Sequence, residues 1–147
     1  MYKNSPILRW RKYNEQYLLI GNKCINCEAV YYPKKYLCKC TAKDFTDFQL
    51  SNKGILISYT EIRSAPEEYK DQVPYCLGII QLEDGPKIIA QITDCTVSDL
   101  KIGMPVEAVL RRFYKINDEG IIHYGIKFKP QNIMQIDLMF TNEVSEH

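Results

Sequence analysis

Four of the six cysteines in this 147-residue chain lie within one short stretch. Cys24 and Cys27 form a C-x-x-C pair, and Cys38 and Cys40 form a C-x-C pair after an interval of ten residues. Four thiolates carried on two short turns, or knuckles, are a ligand set that a tetrahedral zinc ion takes in small zinc ribbons. The second pair is one residue shorter than the usual C-x-x-C. The residue types and their separation nevertheless predict a structural zinc site formed by these four cysteines.

Two other interpretations of the cysteines remain open at this level. Disulfides occur in oxidising compartments and in small secreted proteins, whereas the N-terminal sequence MYKNSPILRWRKYNEQ contains no apolar run long enough for a signal peptide. A bond between Cys38 and Cys40 would also close a tight, strained ring. Four thiolates suit iron as well as zinc, so the spacing predicts the ligands and leaves the choice of metal open.

A site with four protein thiolates has no open coordination position, so its metal would neither activate water nor bind a substrate. Its contribution would be to the fold, since in zinc-finger peptides the metal supplies roughly 10–16 kcal/mol near neutral pH. The chain also lacks a nucleophile-plus-base pattern and a phosphate-binding glycine loop. His123, in a predicted strand, and His147 are its two histidines. We therefore expect no catalytic residues and a protein that is not an enzyme.

The net charge of +1 conceals an asymmetry along the chain. Residues 1–43 carry nine basic and two acidic side chains, a surplus of +7, so the remaining residues carry −6. A zinc ion with four thiolates adds −2, which leaves the N-terminal part near +5. Such a surplus faces phosphate, an acidic protein surface or only solvent. No apolar run approaches the ~20 residues that span a membrane, so we expect a soluble, cytoplasmic protein.

The elements that must position the cysteines begin with a short amphipathic helix. Ser5 and Pro6 supply its N-cap and first helical residue. Its apolar positions then recur at helical spacing and are interleaved with basic residues; they are Ile7, Trp10, Tyr13 and Tyr17. The aromatic face must pack either on the protein's own core or on a partner. Three short strands are predicted around the knuckles: Tyr17–Ile20, Val30–Tyr32 and Phe45–Leu50.

After Asn52-Lys53-Gly54 the pattern is entirely β. Five strands are separated by turn signals, namely Gly54–Arg63, Tyr75–Leu82, Lys87–Ile92, Val106–Tyr114 and Ile121–Phe128. A loop is predicted over Ser64–Pro74, and a single helical turn over Val97–Leu100. Five strands with a helical turn between the third and fourth favour a small closed barrel of the OB type. A small β-sandwich is the structural alternative.

The predicted fold is therefore mainly β. It comprises an N-terminal helix and a rubredoxin-like zinc ribbon in residues 1–50, a five-stranded OB-fold barrel in residues 51–130 and a C-terminal tail in residues 131–147. Cys76 and Cys95 are interpreted as core residues, because free cysteine is among the most buried residue types. In the tail, apolar residues from Met134 to Phe140 alternate with polar ones, which indicates an extra strand or a strand that docks on a partner.

Several longer motifs follow one another along about residues 5–130. They are the helix with Trp10 and Arg11, the Y-x-L-x-G-x-K-C-x-x-C of Tyr17–Cys27, the Y-P of Tyr32-Pro33, and the segments Ala65–Cys95, Leu100–Glu107 and Gly120–Pro130. In type and order these motifs resemble one protein family, the zinc-ribbon plus OB-fold proteins encoded beside thiolase genes and named DUF35, for domain of unknown function.

The resemblance implies an accessory subunit of acyl-CoA enzymes. Archaeal proteins of this family accompany an acetoacetyl-CoA thiolase and a hydroxymethylglutaryl-CoA (HMG-CoA) synthase in mevalonate synthesis. They resemble scaffolds that hold the two enzymes together so that acetoacetyl-CoA passes between them. This chain departs from the family at two positions. Glu28 stands where the family often has glycine, and Cys38-Lys39-Cys40 replaces the usual C-P-x-C.

Two alternative functions follow from the residues. Zinc ribbons and OB barrels both bind nucleic acids, and aromatic residues that could stack on bases are present: Tyr31, Tyr32 and Tyr36. The acidic barrel argues against this function, since protein surfaces that bind nucleic acid are usually basic.

The second alternative is direct binding of acyl-CoA, which would place the pantetheine arm in the seam between ribbon and barrel. Its phosphates would then meet basic residues, for which the candidates are Arg9, Arg11, Lys12, Lys34 and Lys35.

Overall fold

A computed structural model describes residues 6–115 and 122–131. The N-terminal segment forms two short helices, α1 (Pro6–Arg11) and α2 (Tyr13–Leu18), with a turn at Lys12. The predicted strand over Tyr17–Ile20 is wrong, because α2 continues to Leu18. Leu19 then adopts a left-handed conformation, with φ of 50°, and redirects the chain from helix to strand.

A three-stranded antiparallel sheet, the ribbon sheet, carries the cysteine segment. Strand β1 lies at its centre and pairs with β2 on one side and β3 on the other. The strands are β1 (Ile20–Cys24), β2 (Val30–Tyr31) and β3 (Phe45–Gln49). Both knuckles lie at the same end of this sheet, since Cys24 ends β1 and Phe45, opposite it in the register, begins β3.

Five strands form a closed barrel, as the sequence predicts. They are β4 (Lys53–Ile62), β5 (Tyr75–Leu82), β6 (Lys87–Ile92), β7 (Pro105–Lys115) and β8 (Ile122–Pro130). They pair in the order β4-β5-β6-β8-β7, and β7 closes on β4. Antiparallel pairing joins all neighbours except β6 and β8, which meet in parallel at Ile92 and Phe128. This order departs from simple up-and-down pairing because β7 crosses to the far side of β8.

Alternation of side chains along β5 shows how the barrel encloses its core. Cys76, Gly78, Ile80 and Leu82 face inward, and the residues between them face outward. Gly78 leaves room for its neighbours, because a Cβ atom at this position would lie 2.6 Å from Ile92 Cδ1 and would force that side chain to move. The predicted core position of Cys76 is confirmed, and Cys95 packs against the core while half-buried.

Two 3₁₀ helices connect the barrel strands. The first, Glu67–Gln72, falls within the segment predicted as a loop and contacts β7. The second, Val97–Asp99, lies where a helical turn was predicted. The Asp99 carboxylate accepts hydrogen bonds from the backbone N–H of Thr96 at 2.9 Å and from its hydroxyl at 2.6 Å. This capping explains why the turn forms within so short a segment.

One continuous apolar core joins the ribbon sheet to the barrel. Leu19 and Leu50, which flank β1 and β3, belong to the same buried cluster as Leu56 and Phe128 of the barrel. The backbone N–H of Leu50 donates to the Leu19 carbonyl at 3.0 Å and ties the two connections together. The relative position of ribbon and barrel is therefore determined by buried apolar contacts as well as by chain connectivity.

The predicted tail strand from Met134 to Phe140 lies outside the described residues. Gln131, which precedes it, donates its backbone N–H to the Pro105 carbonyl at 3.1 Å beside the start of β7. No helix among the described residues is long and apolar enough to cross a membrane.

Candidate functional site

The four predicted ligands converge at the end of the ribbon sheet. Their sulfur atoms all lie within 4.8 Å of one another. Cys24 Sγ is 3.6 Å from Cys40 Sγ, and Cys27 Sγ is 3.2 Å from Cys38 Sγ. Zinc–sulfur bonds of about 2.3 Å place the sulfurs of a tetrahedral centre roughly 3.8 Å apart, close to these separations. The donor set and its dimensions therefore fit a four-thiolate metal ion.

Each knuckle is a tight turn closed by the backbone. The N–H of Glu28 donates to the Cys24 carbonyl at 3.0 Å, and the N–H of Thr41 donates to the Cys38 carbonyl at 2.9 Å. Both turns end in a residue with positive φ, 58° at Glu28 and 65° at Thr41. This conformation favours glycine, which gives a physical reason why a glycine often follows the second cysteine of such knuckles. Neither departure from the family pattern prevents the four sulfurs from converging.

Tyr31 supports the second knuckle from β2. Its hydroxyl lies 3.3 Å from Cys38 Sγ and accepts a hydrogen bond from the Lys39 backbone N–H at 3.4 Å. The hydrogen bond from Tyr31, aided by the Cys40 backbone N–H, lowers the pKa of the Cys38 thiol to about 6. The Ala29 backbone N–H lowers the pKa of the Cys27 thiol, but its neighbouring sulfurs and burial outweigh this effect and raise that pKa to about 12.

Asn22 holds the segment that leads into the second knuckle. This side chain is buried at the centre of β1, and its Nδ2 donates to the Lys35 carbonyl at 2.6 Å. Its Oδ1 accepts the Lys35 backbone N–H at 3.1 Å. The two bonds fix the main chain three residues before Cys38. Sequence reasoning identified the four cysteines that converge here but missed both Asn22 and Tyr31, since neither belongs to a recognisable motif.

Comparison with known proteins identifies the family. A DUF35 domain-containing scaffold protein of Methanocaldococcus jannaschii is 46% identical over 133 residues, covering 88% of this chain and 94% of the relative. The chain belongs to the DUF35 family. A second DUF35 scaffold protein, from Pyrococcus furiosus, is 40% identical and covers 82% of this chain and 89% of its own length. A third, from Methanothermobacter thermautotrophicus, is 37% identical, with coverage of 86% and 97%.

Two further comparisons concern the architecture. Residues 48–111 match the model of the C-terminal OB-fold domain of ChsH2. The solved structure named Ltp2-ChsH2(DUF35) aldolase superposes with a TM-score of 0.64 at 18% identity, covering 88% of this chain and 96% of that one. A DUF35 protein of unknown function from Sulfolobus solfataricus superposes with a TM-score of 0.51 at 16% identity, with coverage of 88% and 90%. At these identities the superpositions establish the fold alone.

Within this DUF35 chain, the predicted base-stacking tyrosines have different environments. Tyr31 contacts Cys38, and the half-buried Tyr32 donates its hydroxyl to the Glu15 carbonyl at 2.9 Å. Tyr36, in contrast, is 91% exposed. Two of the three tyrosines therefore serve internal contacts, which leaves one of them free to stack on a base.

The five basic residues considered as contacts for CoA phosphates also differ in their environments. Lys34 pairs with Asp47 at 2.6 Å, and the Lys35 ammonium lies 4.8 Å from the centre of the Tyr31 ring. Arg11 and Lys12 are exposed at the junction of the two helices. The side chain of Arg9 lies outside what the structure describes. Of the two histidines, His123 lies opposite Tyr114 in the β7–β8 register, and His147 is outside the described residues.

A cavity of about 230 Å³ lies in the seam between α2, the ribbon sheet and the barrel. Apolar side chains from α2, β7 and β8 line most of it, with Gln49 and Asn52 as polar neighbours; the apolar members are Tyr17, Leu18, Leu19, Leu50, Ala108, Val109, Leu110 and Ile126. No sequence signal locates this cavity, because its walls come from segments that are far apart in the chain. Its position is the seam predicted for a pantetheine arm.

The outer face of β4, β5 and β6 carries exposed isoleucines. Ile79 on β5 is paired with Ile89 on β6 in the strand register, and Ile57 lies beside them at a bulge in β4. Ile89 is 76% exposed, and Ile55 extends the patch along β4. OB barrels bind oligonucleotides on the face of their second and third strands. Here that face presents aliphatic side chains, which do not stack on bases.

Proposed function

We propose that this DUF35 protein is a non-catalytic scaffold that holds an acetoacetyl-CoA thiolase and an HMG-CoA synthase together. One observation carries the proposal. The one chemically distinctive cluster of the described chain is a four-thiol site with no coordination position left for a substrate, whereas large apolar side chains lie exposed elsewhere. These features of the described residues suit a protein that connects other proteins.

The relatives support this reading at a coarser level. Three homologues that cover more than four fifths of the chain are named scaffold proteins. A structural neighbour is named as part of an Ltp2-ChsH2(DUF35) aldolase, so the architecture occurs within at least one enzyme assembly. The thiolase and the synthase would supply the nucleophilic cysteines and their histidine partners that acyl-CoA chemistry needs.

The benefit of such a scaffold is effective concentration. When two active sites are held together, transfer of an intermediate between them becomes effectively intramolecular, and effective concentrations reach the millimolar range for short connections. Acetoacetyl-CoA formation is uphill, so prompt consumption of the product by the second enzyme draws the first reaction forward. The scaffold would add no chemistry of its own.

Gel filtration of the three purified proteins tests the proposal. We expect one peak that contains all three, and separate peaks for thiolase and synthase when this chain is left out. A mixture in which neither enzyme changes its elution volume would refute the scaffold function. Turnover of any acyl-CoA by the purified chain alone would refute the non-catalytic assignment.

We further propose that the metal is zinc, that its ligands are Cys24, Cys27, Cys38 and Cys40, and that it stabilises the knuckles. The convergence of four sulfurs supports a closed structural site of the kind that zinc occupies. Inductively coupled plasma mass spectrometry of freshly isolated protein should find one zinc per chain. One iron per chain, with the visible absorption of iron–thiolate bonds, would contradict the assignment.

The division into residues 1–50, 51–130 and 131–147 and the cytoplasmic location remain parts of the same proposal. Limited proteolysis tests the division, since cleavage should concentrate near the two proposed boundaries. The continuous core between ribbon and barrel makes the first boundary the more resistant of the two.

A second candidate function, direct acyl-CoA binding, is favoured by the seam cavity. Its volume is slightly below the 300–1,000 Å³ of ordinary ligand pockets, so it suits a narrow chain such as a pantetheine arm. Calorimetry with CoA should then show binding to the isolated chain. Leu110→Trp, which places a larger side chain in the cavity, should abolish that binding. If the heat of CoA binding to this variant equals that of wild type, the seam is not the binding site.

A further inference from the structure

The strongest unassigned surface of the described chain is the aromatic side of the N-terminal helices. Trp10 is the one tryptophan of the protein and is 81% exposed. Ile7, three residues earlier, and Tyr13, three residues later, are exposed as well. Within α1 the i, i+3 spacing places Ile7 and Trp10 on one side of the helix, and Tyr13 adds an exposed ring at the start of α2. Apolar anchors at such spacing are the pattern by which a helix enters a groove of another protein.

The second helix is fastened to the body of the protein, so the exposed anchors project from a supported base. The Tyr32 hydroxyl donates to the Glu15 carbonyl of α2 at 2.9 Å, and the Gln49 amide donates to the Leu18 carbonyl at its end. Tyr13 stacks on Tyr17 with 5.1 Å between ring centres. A partner would therefore meet a surface that is already partly ordered, which lowers the entropy cost of binding.

The charges beside these anchors indicate the chemistry of the partner. Arg11 and Lys12 are exposed at the junction of α1 and α2, and neither pairs with an acidic residue among the described ones. Trp, Tyr and Arg are also the residue types that contribute most to protein interfaces. The complementary surface is an apolar groove with acidic residues at its rim.

We propose that α1 and the beginning of α2 dock into such an acid-rimmed apolar groove on one of the two enzymes, with Trp10 as the central anchor. The inference rests on the proposed scaffold function and assigns one of its two contacts to a defined surface. The isoleucine patch of the barrel lies on other elements and carries no charge within it, so the second enzyme is free to bind elsewhere.

A protein groove is favoured over a membrane surface because the exposed apolar side is small. Binding of an amphipathic helix in the membrane interface scales with the apolar area that it buries, and α1 and α2 have six residues each and are separated by a turn. Nucleic acid is disfavoured because Ile7 lies on the same surface and offers no ring for stacking.

Fluorine NMR provides a direct test, because 5-fluorotryptophan labels the full chain at Trp10 alone. We expect the single resonance to shift and broaden when one of the two enzymes is added at stoichiometric concentration, and to stay in place when the other is added. A resonance that neither enzyme perturbs, although both co-elute with the chain, would overturn the docking assignment and leave the scaffold function intact.

Substitutions supply an independent readout by biolayer interferometry with each enzyme in turn. Trp10→Ala should weaken binding of one enzyme by at least about tenfold and leave binding of the other unchanged. Tyr36→Ala, which removes a still more exposed ring from the ribbon, should change the binding of neither enzyme. Reversing Arg11 and Lys12 to Glu should slow association and reduce its dependence on salt.

Three results would overturn the inference. If the wild-type protein binds neither enzyme, the scaffold function is refuted together with the docking assignment. If the Trp10→Ala variant binds both enzymes as tightly as wild type does, the docking assignment alone is refuted. The third result concerns vesicles of phosphatidylserine and phosphatidylcholine. If wild type sediments with them, Trp10→Ala does not, and the substitution leaves enzyme binding unchanged, the helices bind a membrane surface instead.

Discussion

Tyr31 lies outside the cluster of four cysteines but is placed to influence a metal ion bound there. Its hydroxyl contacts Cys38 Sγ and orients the second knuckle. Loss of such an outer contact typically lowers metal affinity 10–100-fold. We expect Tyr31→Phe to lower zinc affinity by about that factor, measured by competition with a chromophoric chelator. Tyr36→Phe, with its ring exposed, is the matched control. Equal affinities of the two variants would show that the Tyr31 hydroxyl has no part in metal binding.

Asp94 provides a test of pH dependence at the level of one ion pair. Its carboxylate accepts a hydrogen bond from the Arg111 guanidinium at 2.7 Å, which holds the pKa of this carboxyl below its usual range. A lowered carboxyl pKa contributes stability that is present above the ordinary value and is lost as the pH falls through the folded value. Both side chains are more than two fifths exposed, so the contribution is only about 0.2–1 kcal/mol.

We therefore expect Asp94→Asn to lower the free energy of unfolding by that amount at pH 7, and the difference from wild type to vanish in acid. Asn tolerates the left-handed conformation found at this position, with φ of 61°, so the substitution isolates the charge. Urea denaturation at several pH values measures the effect. Asp71→Asn, at an exposed carboxylate without an ion pair among the described residues, should show no difference, and a pH-independent loss in Asp94→Asn would refute the electrostatic explanation.

At the scale of elements, a glutamine fastens the first 3₁₀ helix to the barrel. The Gln72 amide donates to the Phe113 carbonyl of β7, and its oxygen accepts a hydrogen bond from Lys127 Nζ of β8 at 3.1 Å. Lys127 is only 5% exposed, and no carboxylate pairs with it among the described residues. Burial, with repulsion from Arg112, lowers the pKa of its ammonium group.

Removal of the Gln72 acceptor should therefore lower the free energy of unfolding, whereas removal of the Lys127 charge should not. Gln72→Ala leaves a buried ammonium without its hydrogen bond and should cost about 1–3 kcal/mol of unfolding free energy. Lys127→Met replaces the charge with an apolar chain of similar length and should be neutral or stabilising. Because the unfolded lysine holds its proton more tightly, wild-type stability should rise with pH between the folded and unfolded pKa values, and Lys127→Met should remove that rise.

A double-mutant cycle completes this prediction. Gln72→Ala should cost less in the Lys127→Met background, because the ammonium that needs the acceptor is gone. Thermal and urea unfolding of the four proteins at neutral and alkaline pH provide the measurements. If Lys127→Met proves more damaging than Gln72→Ala, the ammonium stabilises the barrel and the argument from desolvation is wrong.

The elements that could be predicted from the sequence are those encoded by local signals. The hairpin Tyr75–Leu82 and Lys87–Ile92 matches the structure at both ends, since alternating apolar residues and an intervening Gly-Pro turn define it without reference to the rest of the chain. The end of α2 was mispredicted because the left-handed conformation of Leu19 carries no signature in a run of apolar residues. Packing against the core at Leu19, a distant contact, decides where that helix ends.

The candidate site divides in the same way. The cluster of four cysteines could be predicted because their spacing is typical of two knuckles that face one another. The supporting contacts of Asn22 and Tyr31 could not be predicted, since they depend on the register between strands. Tyr31 and Tyr32 are adjacent and chemically identical, yet the first contacts Cys38 and the second contacts α2. They differ because successive side chains at the end of a strand point to opposite sides.

For the whole molecule, the continuous core links the cluster of four cysteines to the barrel. We expect the ribbon sheet to depend on a bound metal ion for its stability more than the barrel does. The ribbon sheet has few buried large residues of its own, while the barrel encloses Leu56, Ile80 and Phe128. A structural metal supplies folding free energy to the segment that binds it. Removal of the metal should therefore loosen the ribbon sheet first, and the loss should diminish along the chain where Leu19 and Leu50 join the barrel core.

Hydrogen exchange with and without a chelator measures this gradient. Amides of β1 and β3 should exchange at least about tenfold faster after metal removal. The exchange rate of the Leu50 amide should rise by a smaller factor, and the rates of the inner amides of β5 should hardly change. Readdition of zinc should restore the original rates. Uniform acceleration through β5 would show instead that the metal stabilises the chain as a single cooperative unit. In that case a scaffold without metal would lose its barrel surface together with its ribbon, and both enzymes would dissociate at once.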